Sequence, residues 1–178
     1  HEEATVSVAV PFMAVFNNLV MFAQHVAKNS FESIVPDLAE SWKWSDDGKQ
    51  LSFRLRRGVK WHDGKPFTSA DVVCTFDLLL GGEGETKLRR NPRAAWWSNV
   101  EKATAEGDFA ATRHLKERQS SLLALLASGY TPIYPCHVPV ADMRRKPIGT
   151  GPFKLVEFKM NEGIKLARNA DYGKKGRP

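Results

Sequence analysis

Cys136 and His137 are neighbours in the chain and pair a nucleophile with a base. A cysteine nucleophile needs a base close in space and an oxyanion hole, and adjacency in sequence supplies neither. The pair therefore reads as packing after Tyr134-Pro135, with a cysteine-dependent hydrolase using Cys136 and His137 as the alternative. His62-Asp63 would supply two thirds of a triad or two metal ligands. Asp63, however, opens an Asp-Gly turn, which accounts for it without chemistry. The five histidines, His1, His25, His62, His114 and His137, show no metal-ligand spacing. Gly81, Gly82 and Gly84 lack the following Lys-Ser/Thr of a phosphate loop. Asp46-Asp47-Gly48 lacks the later acidic ligands of a calcium loop. No catalytic residue, metal or cofactor is expected, and the chain reads as one that holds something rather than transforms it.

Two residue sets remain. Cys74 lies beside the apolar stripe of a helix and Cys136 follows a proline; both read as buried free thiols, with one disulfide as the other arrangement. Trp96-Trp97 ends a Gly-rich, charged loop over 81–91 and offers flat apolar walls to a peptide; otherwise one ring belongs to the core and the other caps a loop.

The elements that must position these residues centre on 34–80. Trp42 and Trp44 share one strand face, as do Leu51, Phe53 and Leu55, and Asp47-Gly48 lies between them. Residues 42–56 are therefore predicted to form an antiparallel hairpin with a buried aromatic face and a wet cationic one. Trp42, Trp44, Trp61 and Phe53 are assigned to the core. A second turn at Asp63-Gly64 leads to Thr68, a helix start with Asp71 three residues on. Val72, Phe76, Leu79 and Leu80 form that helix's stripe, and Gly81-Gly82 ends it. A strand is expected at 5–10, a short helix or strand at 15–22 and strand-like chain over 100–114. A Leu-rich helix follows at 120–128, then a proline-rich loop or edge over 133–140 and a second hairpin over 153–168. The chain ends on a linker-like Gly176-Arg177-Pro178.

Length and composition set the bounds. The chain has 178 residues, enough for one core. Its 42% hydrophobic and 26% charged content is that of a soluble globular protein. No apolar run approaches the ~20 residues of a membrane span. Residue 1 is His1, so the expectation is that something upstream was removed. The net charge of +6 permits a basic anion-binding domain as a further alternative. The cationic stretches at 87–93, 144–146 and 174–177 lack the aromatic interleaving of a single-strand groove, so no nucleic-acid partner is expected.

The residues together resemble a family. The segment VPDLAESWKWSDDGKQLSFRLRRGVKWHDGKPFTSADVV, the later Gly149-Thr150-Gly151-Pro152-Phe153-Lys154-Leu155, and Arg168-Asn169-Ala170-Asp171-Tyr172 resemble, in order and spacing, the family 5 extracellular solute-binding proteins. These are the dipeptide-, oligopeptide- and nickel-type receptors of ABC importers. A softer match is Ser121 to Ala127 followed by Pro132-Ile133-Tyr134-Pro135. Ala170 and Gly173 depart from the Pro and Trp usual there, and Arg113 occupies an apolar strand position. The resemblance implies a mixed α/β, antiparallel-rich lobe I of a class II periplasmic-binding-protein-like fold over residues 1–178, with the second lobe absent. It implies a receptor for a peptide or other small solute, working by lobe closure and read by a membrane permease. The implied location is periplasmic or extracellular, membrane-associated through the transporter. The ligand-binding residues it suggests are Trp96, Trp97, Phe12, Asn17, Asn18, Thr150 and Gly151.

Overall fold

Strand β1 (Val20–Phe22) pairs antiparallel with β2 (Ile34–Pro36), and the chain then enters the predicted hairpin, β3 (Ala39–Trp44) and β4 (Gln50–Leu55). This is a computed structural model, and it describes residues 13–82, 87–159 and 162–174. The expected strand at 5–10, Phe12, the 83–86 part of the Gly-rich loop, Asn161 in the second hairpin's turn and the tail at 176–178 lie outside the described residues.

The β3–β4 turn forms as its residues dictate. Gly48 takes φ +69°, and Asp47 accepts from the Lys49 amide at 2.9 Å. Two further strands, β5 (Val100–Ala105) and β6 (Ala110–Leu115), complete a four-stranded antiparallel sheet in the order β3-β4-β6-β5. The strand-like stretch over 100–114 is thus two strands, folded back where Gly107 takes φ +65°. Leu51, Phe53 and Leu55 on the second strand of the sheet are almost fully buried. Trp42 and Trp44 are only half-buried, because their strand is the sheet's edge; they pack on the core from outside it.

Helix α1 (Ser69–Leu80) covers the sheet's inner face. The Thr68 amide donates to Asp71 Oδ2 at 2.9 Å, so the aspartate does the work of the longer carboxylate usual in a capping box. Val72, Phe76 and Leu79 face the core, whereas Leu80 is 39% exposed and leaves the predicted stripe. Leu78 instead joins a small satellite cluster with Leu88 and Val140. Gly81 closes the helix in the left-handed conformation, at φ +116°.

Helix α2 (Leu122–Ala127) packs against the first strand, and a short helix α3 (Val140–Met143) starts after Pro139, within the stretch expected to be loop or edge. Strands β7 (Phe153–Lys159) and β8 (Gly163–Arg168) make the second predicted hairpin. The mixed α/β, antiparallel-rich architecture agrees with the sequence reading. Among the described residues, no helix is long and apolar enough to cross a membrane.

The two cysteines are not free thiols. Cys74 and Cys136 form a disulfide across 62 residues, with Cα atoms 5.8 Å apart. It fastens the exposed side of α1 to the loop after Tyr134. The sequence does not carry this, since bridging depends on a distance between segments with no local relation.

Candidate functional site

A concavity of about 930 Å³ opens between the segment 13–24, the end of the second strand, the 127–134 loop and the chain's last described residues. Its walls are largely apolar and aromatic: Met13, Phe16, Met21, Tyr130 and Tyr134 among them. Phe16 stacks on Tyr134 with ring centroids 5.5 Å apart. A concave, mostly apolar surface with a few convergent polar groups is the usual form of a small-molecule site.

The polar groups gather at the floor. The backbone at Asn17 and Asn18 is held by two separate segments: Ile133 donates to the Asn17 carbonyl at 3.1 Å and Leu38 to the Asn18 carbonyl at 3.0 Å. These bonds fix the main chain from which both side chains project. Asn17 Nδ2 donates to Asp37 Oδ1 at 2.8 Å, and the Asn18 amide donates to Asp37 Oδ2 at 2.9 Å. Lys174 Nζ is ion-paired to the same carboxylate. Asn18 Nδ2 donates to the Ser128 carbonyl at 2.6 Å. Asp37 is 3% exposed, and these partners leave it satisfied in a place where an unpaired carboxylate would be costly.

Thr150 and Gly151 stand behind this floor rather than on it. Thr150 is 2% exposed, and its hydroxyl donates to Asn17 Oδ1 at 3.2 Å. Gly151 donates to the Val15 carbonyl at 2.9 Å, and a Cβ on either Gly149 or Gly151 would collide with the backbone at Val15. The glycines of this turn are therefore required by close backbone approach. His62 clamps the same turn. Its Nδ1 accepts from the Gly149 amide at 3.2 Å, which makes Nε2 the protonated nitrogen facing the Gly151 carbonyl at 3.0 Å. Burial pushes the His62 pKa below its ordinary value. Asn169 Nδ2 also donates to the Gly151 carbonyl, at 3.1 Å.

The two adjacent tryptophans part company. They lie on a 3-10 turn (Ala94–Trp97) that sends them in opposite directions. Trp97 is 1% exposed and packs edge-on to Phe76, 5.7 Å between centroids, so it belongs to the core and offers a ligand no surface. Trp96 is 42% exposed and packs edge-on to Tyr130 at 6.0 Å, beside the concavity's rim. Arg93 lies over both rings, 4.7 Å from the Tyr130 centroid and 5.6 Å from that of Trp96. Burial pushes the Arg93 guanidinium below its ordinary pKa, against the pull of Tyr130 and Tyr134.

The floor thus unites Asn17 and Asn18 with three residues that sequence reasoning did not single out for it: Asp37, Tyr172 and Lys174. Tyr172 OH receives Asn17 Nδ2 at 3.3 Å from 155 residues away. No local pattern signals such a meeting; the motif around Asp37 and that around Asp171-Tyr172 were visible, but not their contact.

On the opposite question, chemistry, the geometry is plain. Cys136 Sγ is bonded to Cys74, so the hydrolase reading has no nucleophile here. His137 Nε2 lies 2.7 Å from Asp63 Oδ2, a turn-to-loop tie. Burial would raise the Asp63 carboxyl, but the hydrogen bonds from His137 and the Lys65 amide outweigh it and hold the pKa down. Among the described residues no three His, Cys, Asp or Glu side chains gather as a metal site.

Comparison with known proteins gives a consistent result. Residues 33–178 match the model of the bacterial extracellular solute-binding proteins, family 5. The oligopeptide-binding protein AppA of Bacillus subtilis (strain 168) is 36% identical over 151 residues, covering 79% of this chain and 26% of AppA. The structure of AppA in complex with a nonapeptide superposes with a TM-score of 0.77 at 30% identity, over 97% of this chain and 34% of that one. MoaA from A. tumefacien R10, solved with mannopinic acid, gives 0.80 at 29% identity, over 99% of this chain and 35% of that one. The chain spans about a quarter to a third of the length of these relatives.

Proposed function

This chain belongs to the bacterial extracellular solute-binding proteins of family 5, and from that premise we propose that it forms the first lobe of a peptide receptor serving an ABC importer. The observation that carries the reading is the concavity itself: about 930 Å³, aromatic-walled, with a polar floor already satisfied by its own hydrogen bonds. Such a surface offers shape and apolar contact to an extended solute without reactive groups. The solute class follows from the relatives, AppA being named for oligopeptides and solved with one.

Asn17 and Asn18 meet the solute from the floor and Trp96 meets it from the rim, while Thr150 and the Gly151 turn hold Asn17 in position. A second lobe closes over the solute, and a membrane permease reads the closed state, because a ligand that touches both lobes stabilises closure by its differential affinity. The receptor works in the periplasm or outside the cell. A disulfide suits that oxidising setting.

Isothermal titration tests this. The 178-residue chain alone binds oligopeptides no tighter than millimolar, since one face of a clamp forfeits half the contacts. A chimera carrying these residues in place of the matching segment of AppA binds them micromolar. Micromolar binding by the chain alone contradicts the clamp, and a folded chimera that binds no peptide contradicts the peptide reading.

A further inference from the structure

His62 holds both ends of the turn behind the concavity's floor. Its backbone amide donates to the Gly149 carbonyl at 2.9 Å, its Nδ1 accepts from the Gly149 amide at 3.2 Å, and its Nε2 lies 3.0 Å from the Gly151 carbonyl. Thr150, the residue between, donates to Asn17 Oδ1 at 3.2 Å, and Gly151 donates to the Val15 carbonyl at 2.9 Å. The imidazole thus reaches the Asn17 carboxamide through Gly149 and Thr150. The path has no slack, because the turn approaches the Val15 backbone so closely that neither glycine could carry a Cβ. A shift of the turn is passed on to the floor rather than absorbed in a void. Among the described residues, the charged groups that act on the ring are Lys154 of β7 and Asp63. Lys154 Nζ donates to the His62 carbonyl at 3.2 Å and lies 4.0 Å from Asp171, while Asp63 is tied to His137 at 2.7 Å.

A neutral imidazole accepts at one nitrogen and donates from the other; an imidazolium donates from both and accepts at neither. Protonation therefore sets an N–H at Nδ1 against the N–H of Gly149, and that bond breaks. The bond from Nε2 to the Gly151 carbonyl strengthens at the same time. One end of the turn is pushed off while the other is held, which displaces Thr150 from Asn17. Asn17 keeps its bonds to Asp37 and Tyr172, so the floor loosens rather than collapses. We propose that His62 is a positioning residue of the solute site, that the floor is set for solute only while its imidazole is neutral, and that acidification weakens binding. This rests on the peptide reading above and adds a control to the same site. Burial is the largest influence on the ring and favours the neutral form, as does Lys154; the Gly151 carbonyl and Asp63 favour the cation. The floor is accordingly set at neutral pH and loosened in acid.

The test is a pH series of 1H–15N titrations with blocked tri-alanine, a probe without a titratable group. Between about pH 7.5 and about pH 4.5 the affinity falls about fivefold, in step with the titration of the His62 ring read from its own Hε1 resonance. By reciprocity, saturating tri-alanine lowers the proton affinity of His62 by the same factor, a readout that needs no variant. His62→Gln, whose amide accepts and donates without titrating, abolishes the pH dependence. His25→Gln, which removes the histidine between Gln24 and Val26 of the concavity's lining, keeps it. An affinity that does not change with pH, a change that persists in His62→Gln, or a His62 proton affinity untouched by peptide overturns the inference and leaves the peptide reading standing. No binding even at neutral pH overturns the peptide reading and this inference with it.

Discussion

The backbone N–H of Cys136 donates to Asp71 Oδ1 at 2.9 Å, which ties the loop below the concavity to the first turn of α1. The other oxygen of the same carboxylate accepts from the Thr68 amide at 2.9 Å and from Trp61 Nε1 at 3.2 Å. One 4%-exposed aspartate thus joins a helix start, a core tryptophan and the loop that follows Tyr134.

Replacing Asp71 tests that junction. Asp71→Ala orphans three donors and a helix cap, and should cost on the order of 3 kcal/mol in urea unfolding. Asp71→Asn keeps an oxygen for one or two of them and should cost about half as much. Equal costs would show that the carboxylate's hydrogen bonds are not what holds the loop.

The Cys74–Cys136 disulfide lies beside that junction and closes a loop of 62 residues. Unreduced protein should take up no iodoacetamide, and reduced, unfolded protein should take up two per chain. Removing the bridge by Cys74→Ser with Cys136→Ser should lower stability by roughly 2–4 kcal/mol, chiefly by freeing the unfolded chain. Labelling before reduction would contradict the bridge.

Arg113 makes the opposite kind of prediction. It is 1% exposed, lies over the Phe76 ring, and none of its guanidinium nitrogens is hydrogen-bonded. Burial drives its pKa well down, with only the Asp77 carboxylate opposing. Register explains why it points inward: it pairs with Leu51 on one side and Ala103 on the other, both on the core face. Arg113→Met keeps the stem's packing and removes the stranded charge. It should raise stability by about 1–3 kcal/mol by thermal and urea unfolding. A destabilised Met variant would mean that the guanidinium is better satisfied in solution than here.

His62 sets a pH dependence. Burial holds the folded pKa below 6.5, the value of the free side chain, so protons bind the unfolded chain more readily. The stability that neutral His62 contributes is complete above pH 6.5 and drains as pH falls from there toward the folded pKa. The slope is at most about 1.4 kcal/mol per pH unit. A His62→Gln variant, whose amide can also accept from Gly149 and donate to Gly151, should lack this component. Parallel pH–stability curves for the two proteins would contradict the assignment.

What the sequence made legible was what short-range chemistry decides. The Asp47-Gly48 hairpin, the Asp63-Gly64 turn, the Thr68–Asp71 helix start and the 153–168 hairpin are each written within a few residues, and each formed. Arg113 was visible as a misfit in an apolar strand. The features missed are those made by distance. Trp96 and Trp97 look alike as a pair, and only the 3-10 turn sends one into the core and one to the rim. Asp37, Tyr172 and Lys174 meet Asn17 and Asn18 from far along the chain, and the cysteines meet across 62 residues. None of those meetings leaves a periodicity or turn signal.

The proposed peptide clamp places one of its faces at the Asn17–Asn18 concavity. Its most direct test is to map blocked tri-alanine onto the 178-residue chain by 1H–15N shifts. Saturable, millimolar shifts should centre on Asn17, Asn18, Ser128, Gly129 and Tyr130, with little change at Asp63 or His137. Shifts centred on the Asp63–His137 surface, or micromolar affinity for the chain alone, would contradict it.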